Sequence, residues 1–105
     1  MKGEIKMKIL LVCNAGMSTS MLVSRMQKAA QQRGMEIEIM AVPMMQAETI
    51  LKDWDIVMLG PQVRHQLQYL QNKAEGKVPV CVIDMRDYGM MNGDKVLDAA
   101  IKVIG

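Results

Sequence analysis

The chain has 105 residues, half of them hydrophobic, with a formal net charge of +2 and a pI near 8.6. That length suits a single domain spanning residues 1–105, with residues 1–7 expected as a flexible extension. The charge is too mild to announce nucleic acid, no Lys/Arg run is present, and Trp54, Tyr69 and Tyr88 are too few aromatics for a base-stacking platform.

No apolar stretch approaches the roughly 20 residues that cross a bilayer, so direct membrane insertion is not expected. The charged N-terminus lacks the apolar segment of a secretion signal, which points to the cytoplasm. Cys13 and Cys81 fit a reducing compartment and are too few and too far apart to suggest a metal site. Neither a metal nor a cofactor is expected. Thirteen methionines and no Phe suggest that Met fills the core, because Met adapts to irregular gaps. Met44-Met45 and Met90-Met91 are the better candidates for an adaptable docking surface.

In chain order, residues 8–12 (KILLV) read as a strand buried on both faces, being a nearly continuous apolar run. A helix follows, with Leu22, Met26, Ala29 and Ala30 on its inner face and Gly34 placed to end it. Residues 36–42 (EIEIMAV) alternate and read as a half-exposed edge strand. Met44, Ala47, Leu51 and Trp54 mark a shorter helix after Pro43. Residues 56–59 (IVML) form a third strand, followed by a helical stripe of Val63, Leu67, Leu70 and Ala74. Residues 80–83 (VCVI) form a fourth. The last helix carries Val96, Leu97, Ala100, Ile101 and Ile104, with Asp94 as its expected N-cap.

Four alternations of strand and helix without a long linker imply an α/β fold: a single four-stranded parallel sheet with helices on both faces. A reversal of winding after the second strand gives the order 2-1-3-4. In such sheets the site lies outside the C-terminal strand ends, at the switch between strands 1 and 3. Those ends carry Cys13 and Gly60, Pro61 and Gln62.

Cys13 closes the first strand, and Asn14, Ala15, Gly16, Met17, Ser18, Thr19 and Ser20 lead into the first helix. Small residues let a backbone curl around a ligand, and the N–H groups of such a loop and of a helix N-terminus converge on an anion. A phosphate-sized cradle with a cysteine nucleophile at its base suits phosphoryl transfer. Cys81, in mid-strand between valines, is expected to be inert.

Two families use this arrangement. The fold and loop are similar to those of low-molecular-weight tyrosine phosphatases, which place an arginine where this chain has Thr19, and an Asp-Pro general acid where it has Asp84 and then Asp87-Tyr88. Without that arginine, efficient hydrolysis is not expected. The run C-N-A-G-M-S-T-S from Cys13 to Ser20 more specifically resembles the active-site loop of the enzyme IIB components of the phosphoenolpyruvate-dependent sugar phosphotransferase system. The lactose/cellobiose/chitobiose branch matches best. The likeness includes Leu59, Gly60, Pro61 and Gln62, and the Tyr88-Gly89 pair, and it runs nearly the length of the chain.

The resemblance implies that Cys13 accepts a phosphoryl group from a phosphohistidine of a cognate IIA protein and passes it to a sugar held by the membrane IIC permease. A β-linked disaccharide such as cellobiose, chitobiose or lactose is the implied sugar. The backbone from 14 to 20 is then the cradle, with Gly60, Pro61, Gln62, Asp84 and Tyr88 at its rim. A cysteine phosphatase and a non-catalytic module that senses phosphorylation remain the alternatives. His65, the sole histidine, is expected to be exposed, and Arg25 and Arg86 to be solvated surface charges. A monomer is expected, on the premise that burying four helices leaves no strong exposed apolar stripe.

Overall fold

The computed structural model describes residues 6–13 and 17–104, with side chains placed for 7–13 and 20–104. Its centre is a parallel sheet of β1 (Lys6–Cys13), β2 (Glu36–Pro43), β3 (Ile56–Leu59) and β4 (Val80–Val82), in the order β2-β1-β3-β4. This is the expected order. β1 begins at Lys6, so two residues of the expected extension belong to the sheet, and residues 1–5 lie outside the described ones.

The sheet divides the core in two, as the pleat requires. Met7, Ile9 and Leu11 of β1 face one way and pack with Leu22, Met26, Val96 and Leu97. Leu10 and Val12 face the other way and pack with Leu51, Trp54, Val63 and Leu70. The first layer is built on α1 (Met17–Gln32) and the last helix; the second on α2 (Met44–Ile50) and α3 (Leu67–Ala74). Ile9, Leu10 and Leu11 are fully buried, each contributing about 1.5–3 kcal/mol relative to exposure. The alternation in β2 reflects its place at the edge: Glu36, Glu38 and Met40 are exposed, while Ile39 and Val42 are buried.

Helix ends follow local chemistry. Gly34 ends α1 with φ +69°, which a side chain rarely adopts, as its position in the sequence suggested. Four helical patterns resolve into more pieces than expected. Leu51–Asp53 is a 3-10 turn after α2, and Trp54 lies beyond it in extended conformation. The stripe that starts at Val63 is split: Pro61–Gln66 is 3-10, with Val63 at φ −117°, and only then does α3 begin. After β4 a short helix, α4 (Met85–Gly89), occupies a segment expected as loop. α5 (Gly93–Ile104) follows.

Asp94 does not cap α5. The side-chain oxygen of Asn92 accepts from the Lys95 amide at 3.2 Å, and Asp94 instead pairs with Arg33 at 3.1 Å. Arg33 also donates to Asp98 at 2.7 Å, which ties the end of α1 to α5. These carboxylates hold the guanidinium above its ordinary pKa, chiefly through the bond to Asp98.

The methionines are the main departure. Among the described side chains only Met7, Met26 and Met58 are buried. Met21, Met40, Met45, Met85 and Met90 are exposed, Met45 at 82% and Met90 at 67%. The core is filled by Leu, Ile and Val, whose stiff shapes suit a two-sided parallel sheet. The exposed methionines are spread over α1, β2, α2, α4 and the turn after α4.

Candidate functional site

β1 is hydrogen-bonded on both sides, to β2 through its last residue and to β3 as far as Val12. That residue is Cys13, which is 4% exposed. It lies level with Pro43 of β2, and its thiol reaches the Val42 carbonyl oxygen at 4.0 Å. Winding reverses between β1 and β3, so the chain leaves the two strands toward opposite faces, the point at which open α/β sheets place a ligand crevice.

Gly60 forms the other side. Its amide donates to the Val12 carbonyl at 2.9 Å, which continues the β1–β3 ladder to the residue beside Cys13. A Cβ at Gly60 would lie 2.9 Å from Gln62 Oε1, 3.4 Å from the Val12 carbonyl oxygen and 3.6 Å from the Tyr88 ring. Gln62 and Tyr88 thus close over Gly60 next to Cys13. Pro61 is buried and starts the 3-10 turn, where its missing N–H costs nothing.

Asp84 is exposed and plays a local part. Its carboxylate accepts from the Arg86 amide at 2.8 Å and the Asp87 amide at 3.2 Å, so it caps α4. The capped helix carries Tyr88, 6% exposed, into the core against Gly60. Asp84 therefore positions Tyr88.

The backbone of Met17, Ser18, Thr19 and Ser20 forms the first turn of α1, and Ser20 is exposed. Asn14, Ala15 and Gly16, expected as part of the cradle, lie outside the described residues, as do the side chains of Met17, Ser18 and Thr19. Out of the expected set the structure brings Gly60, Gln62 and Tyr88 together, against Val12, the residue before Cys13. His65 and Arg86 are exposed. The Val42 carbonyl and α4 were not legible in the sequence; the S/D-x-x pattern at Asp84 was the only available signal for the latter.

Cys81 sits in β4, level with Met58, which is level with Leu11. Two strand spacings sideways and two residues along put its Cα about 12 Å from that of Cys13. Disulfide geometry requires less than about 7 Å, so the two thiols do not bridge. Cys81 is half-buried, and burial raises its pKa above the ordinary thiol value. Among the described residues, no cluster of three metal-ligating side chains forms, and no helix is long and apolar enough to cross a membrane.

A doubly wound parallel sheet, with a buried cysteine ending β1 at the switch point, defines the class: an open-sheet α/β protein. Residues 8–99 match the family described as "PTS system, Lactose/Cellobiose specific IIB subunit", and the chain belongs to that family. It is therefore a phosphotransferase component of a sugar phosphotransferase system. The chain is similar to the galactose-specific EIIB component of Lactococcus lactis subsp. cremoris, 51% identical over 98 residues, covering 88% of this chain and 91% of that one. It is similar to the oligo-beta-mannoside-specific EIIB component of Bacillus subtilis, 42% identical, covering 92% and 95%. Among solved structures, the cellobiose-specific IIB protein of Borrelia burgdorferi superposes with a TM-score of 0.79 at 41% identity, covering 97% and 94%. The lactose-specific IIB domain of Streptococcus pneumoniae reaches 0.83 at 17% identity, covering 93% and 97%, which is a likeness of fold.

Proposed function

We propose that Cys13 is the phosphoryl carrier of this component. The observation that supports the reading is the placement of Cys13: buried at the end of β1 at the switch point, one residue from the Val12 carbonyl that accepts from the Gly60 amide. The Cys13 sulfur, as thiolate, attacks the phosphorus of a phosphohistidine on the IIA protein. The P–N bond breaks, its electron pair returns to the imidazole, and an S–P bond forms. A sugar hydroxyl held by the IIC permease then attacks the same phosphorus. The S–P bond breaks toward sulfur, an O–P bond forms, and the hydroxyl proton leaves to a base on the permease side.

The backbone amides of residues 14–20 are the donors that suit the phosphoryl oxygens, because a strand-to-helix loop aims its N–H groups at one point. Thr19, standing where the phosphatases carry an arginine, favours holding the group over hydrolysing it. The sugar is a β-linked disaccharide such as cellobiose, a reading supported by the cellobiose and oligo-beta-mannoside relatives. The protein works in the cytoplasm, between a soluble donor and the membrane acceptor.

The test is intact mass after incubation with phosphoenolpyruvate, the general phosphocarrier proteins and the IIA protein. A phosphoryl adduct that maps to Cys13 and disappears in Cys13→Ser is the expected result. Accumulation of free phosphate with no adduct would refute it in favour of a phosphatase.

A further inference from the structure

One flank of α1 faces the turn between α4 and α5 across an open groove of about 300 Å³, lined by Arg25, Lys28 and Gln32 on α1 and by Met90, Met91, Asn92 and Asp94 opposite. Met21 stands one turn from Arg25 on the same flank, toward the Cys13 end. We propose that this flank receives the phosphodonor protein, through a carboxylate-bearing surface on that partner; the proposal rests on the carrier reading.

Charge is the first argument. Arg25 and Lys28 are exposed, and among the described residues neither makes an ion pair. α1 contains no acidic residue, so neither has a carboxylate three or four positions away. Arg33, two turns beyond Arg25, is by contrast held by Asp94 and Asp98. Arg33 offsets one of those two carboxylates, and Arg25 and Lys28 together leave this flank with one net positive charge. A partner arriving with phosphohistidine is anionic where it meets Cys13, so this field steers the loaded donor.

Apolar area is the second. Met21 and Met90 are exposed and Met91 is half-buried, flanking the two cations. Flexible thioethers mould to a partner surface, while cations at the edge set register and encounter rate. Reach is the third. A standard interface covers about 800 Å² on each partner, a disc of roughly 16 Å radius. Arg25 lies eight residues along α1 from Met17, about 12 Å. Lys28 lies about 16 Å from Met17 by the same measure, so a donor seated over Cys13 reaches the near part of the groove, at Arg25 and Lys28. The floor is firm, since the Gly93 backbone rests directly on that of Arg25.

The experiment is the rate of phosphoryl transfer from the phosphorylated IIA protein to wild type, to Arg25→Glu/Lys28→Glu, and to Lys73→Glu/Lys77→Glu, across salt concentrations. The control pair changes net charge equally but lies on α3 and the turn after it. Folding of each variant is verified by circular dichroism, with Arg25→Gln/Lys28→Gln as a milder version. The expected result is a loss of about tenfold or more in kcat/KM at low salt for the α1 pair, shrinking near 0.5 M as charges are screened. The control pair keeps the wild-type rate. Equal rates for all three, or equal losses in both pairs, overturn the docking surface while leaving the carrier intact. A loss confined to transfer onward to the permease-bound sugar also overturns it. A wild type that acquires no phosphoryl group from the donor overturns the carrier reading and the proposal with it.

Discussion

Gly93 is where two helices touch without side chains between them. A Cβ there would stand 2.5 Å from the Arg25 carbonyl carbon, 2.7 Å from its oxygen and 2.7 Å from the Met26 nitrogen. All three atoms are backbone inside α1, so no rotamer change relieves the clash. Gly93→Ala must part α1 from α5 by about 1 Å, loosening Leu22, Met26, Val96 and Leu97, which share that layer. Overpacking of this kind costs about 1–3 kcal/mol. Because the whole α1–α5 seam opens, the upper part of that range is expected, a fall in Tm of roughly 10 °C for a chain of this size. Two other glycines calibrate the measurement. Gly89→Ala adds a methyl that meets nothing within 4 Å, and it should be neutral or stabilising by up to about 1 kcal/mol. Gly34→Ala also meets nothing, but its φ of +69° should cost about 1 kcal/mol. Urea unfolding of the three variants, with unchanged slopes, gives the ranking. If Gly93→Ala fell within 0.5 kcal/mol of Gly89→Ala, the close-packed seam would be refuted.

Cys13→Ala should abolish phosphoryl acceptance and Cys81→Ala should retain it, as read by intact mass; the reverse pattern would reassign the nucleophile. Cys81 also predicts a pH effect. Burial raises its folded pKa above the unfolded value near 9, so stability is full below pH 9 and declines above it until the folded pKa is passed. Cys81→Ala should flatten that part of a urea-midpoint profile between pH 8.5 and about 10.5 relative to wild type. Asp84→Ala should cost about 1 kcal/mol and speed hydrogen exchange at the Arg86 and Asp87 amides, since both lose their acceptor. Arg33→Ala should cost no more than about 1 kcal/mol, and less in high salt, because its partners are exposed.

The architecture was legible because the strands are apolar in a way only two-sided burial explains, and because Cys13 and Gly60 fall at adjacent strand ends. The edge position of β2 was legible from Glu36 and Glu38. What escaped depends on neighbours distant in sequence. Asn92 rather than Asp94 caps α5 because the helix begins at Gly93, and Asp94 is left to pair with Arg33, about sixty residues earlier. α4 is one turn long and has no room for a periodic pattern. The methionines misled because composition reports amount and not placement. Nothing in the sequence around Gly93 announces that its backbone lies against that of Arg25.

The parallel sheet also has a consequence for how the chain is made. No two of its strands are joined by a hairpin, and β1 is completed only by partners far along the chain: Lys8 and Asp55 exchange hydrogen bonds across 47 positions. As the polypeptide leaves the ribosome, β1, α1 and β2 emerge first, with one side of β1 still unpaired. Gly60 must follow before the Val12 carbonyl beside Cys13 gains its donor, so the nascent chain shows an open strand edge until more than half of it has been synthesised.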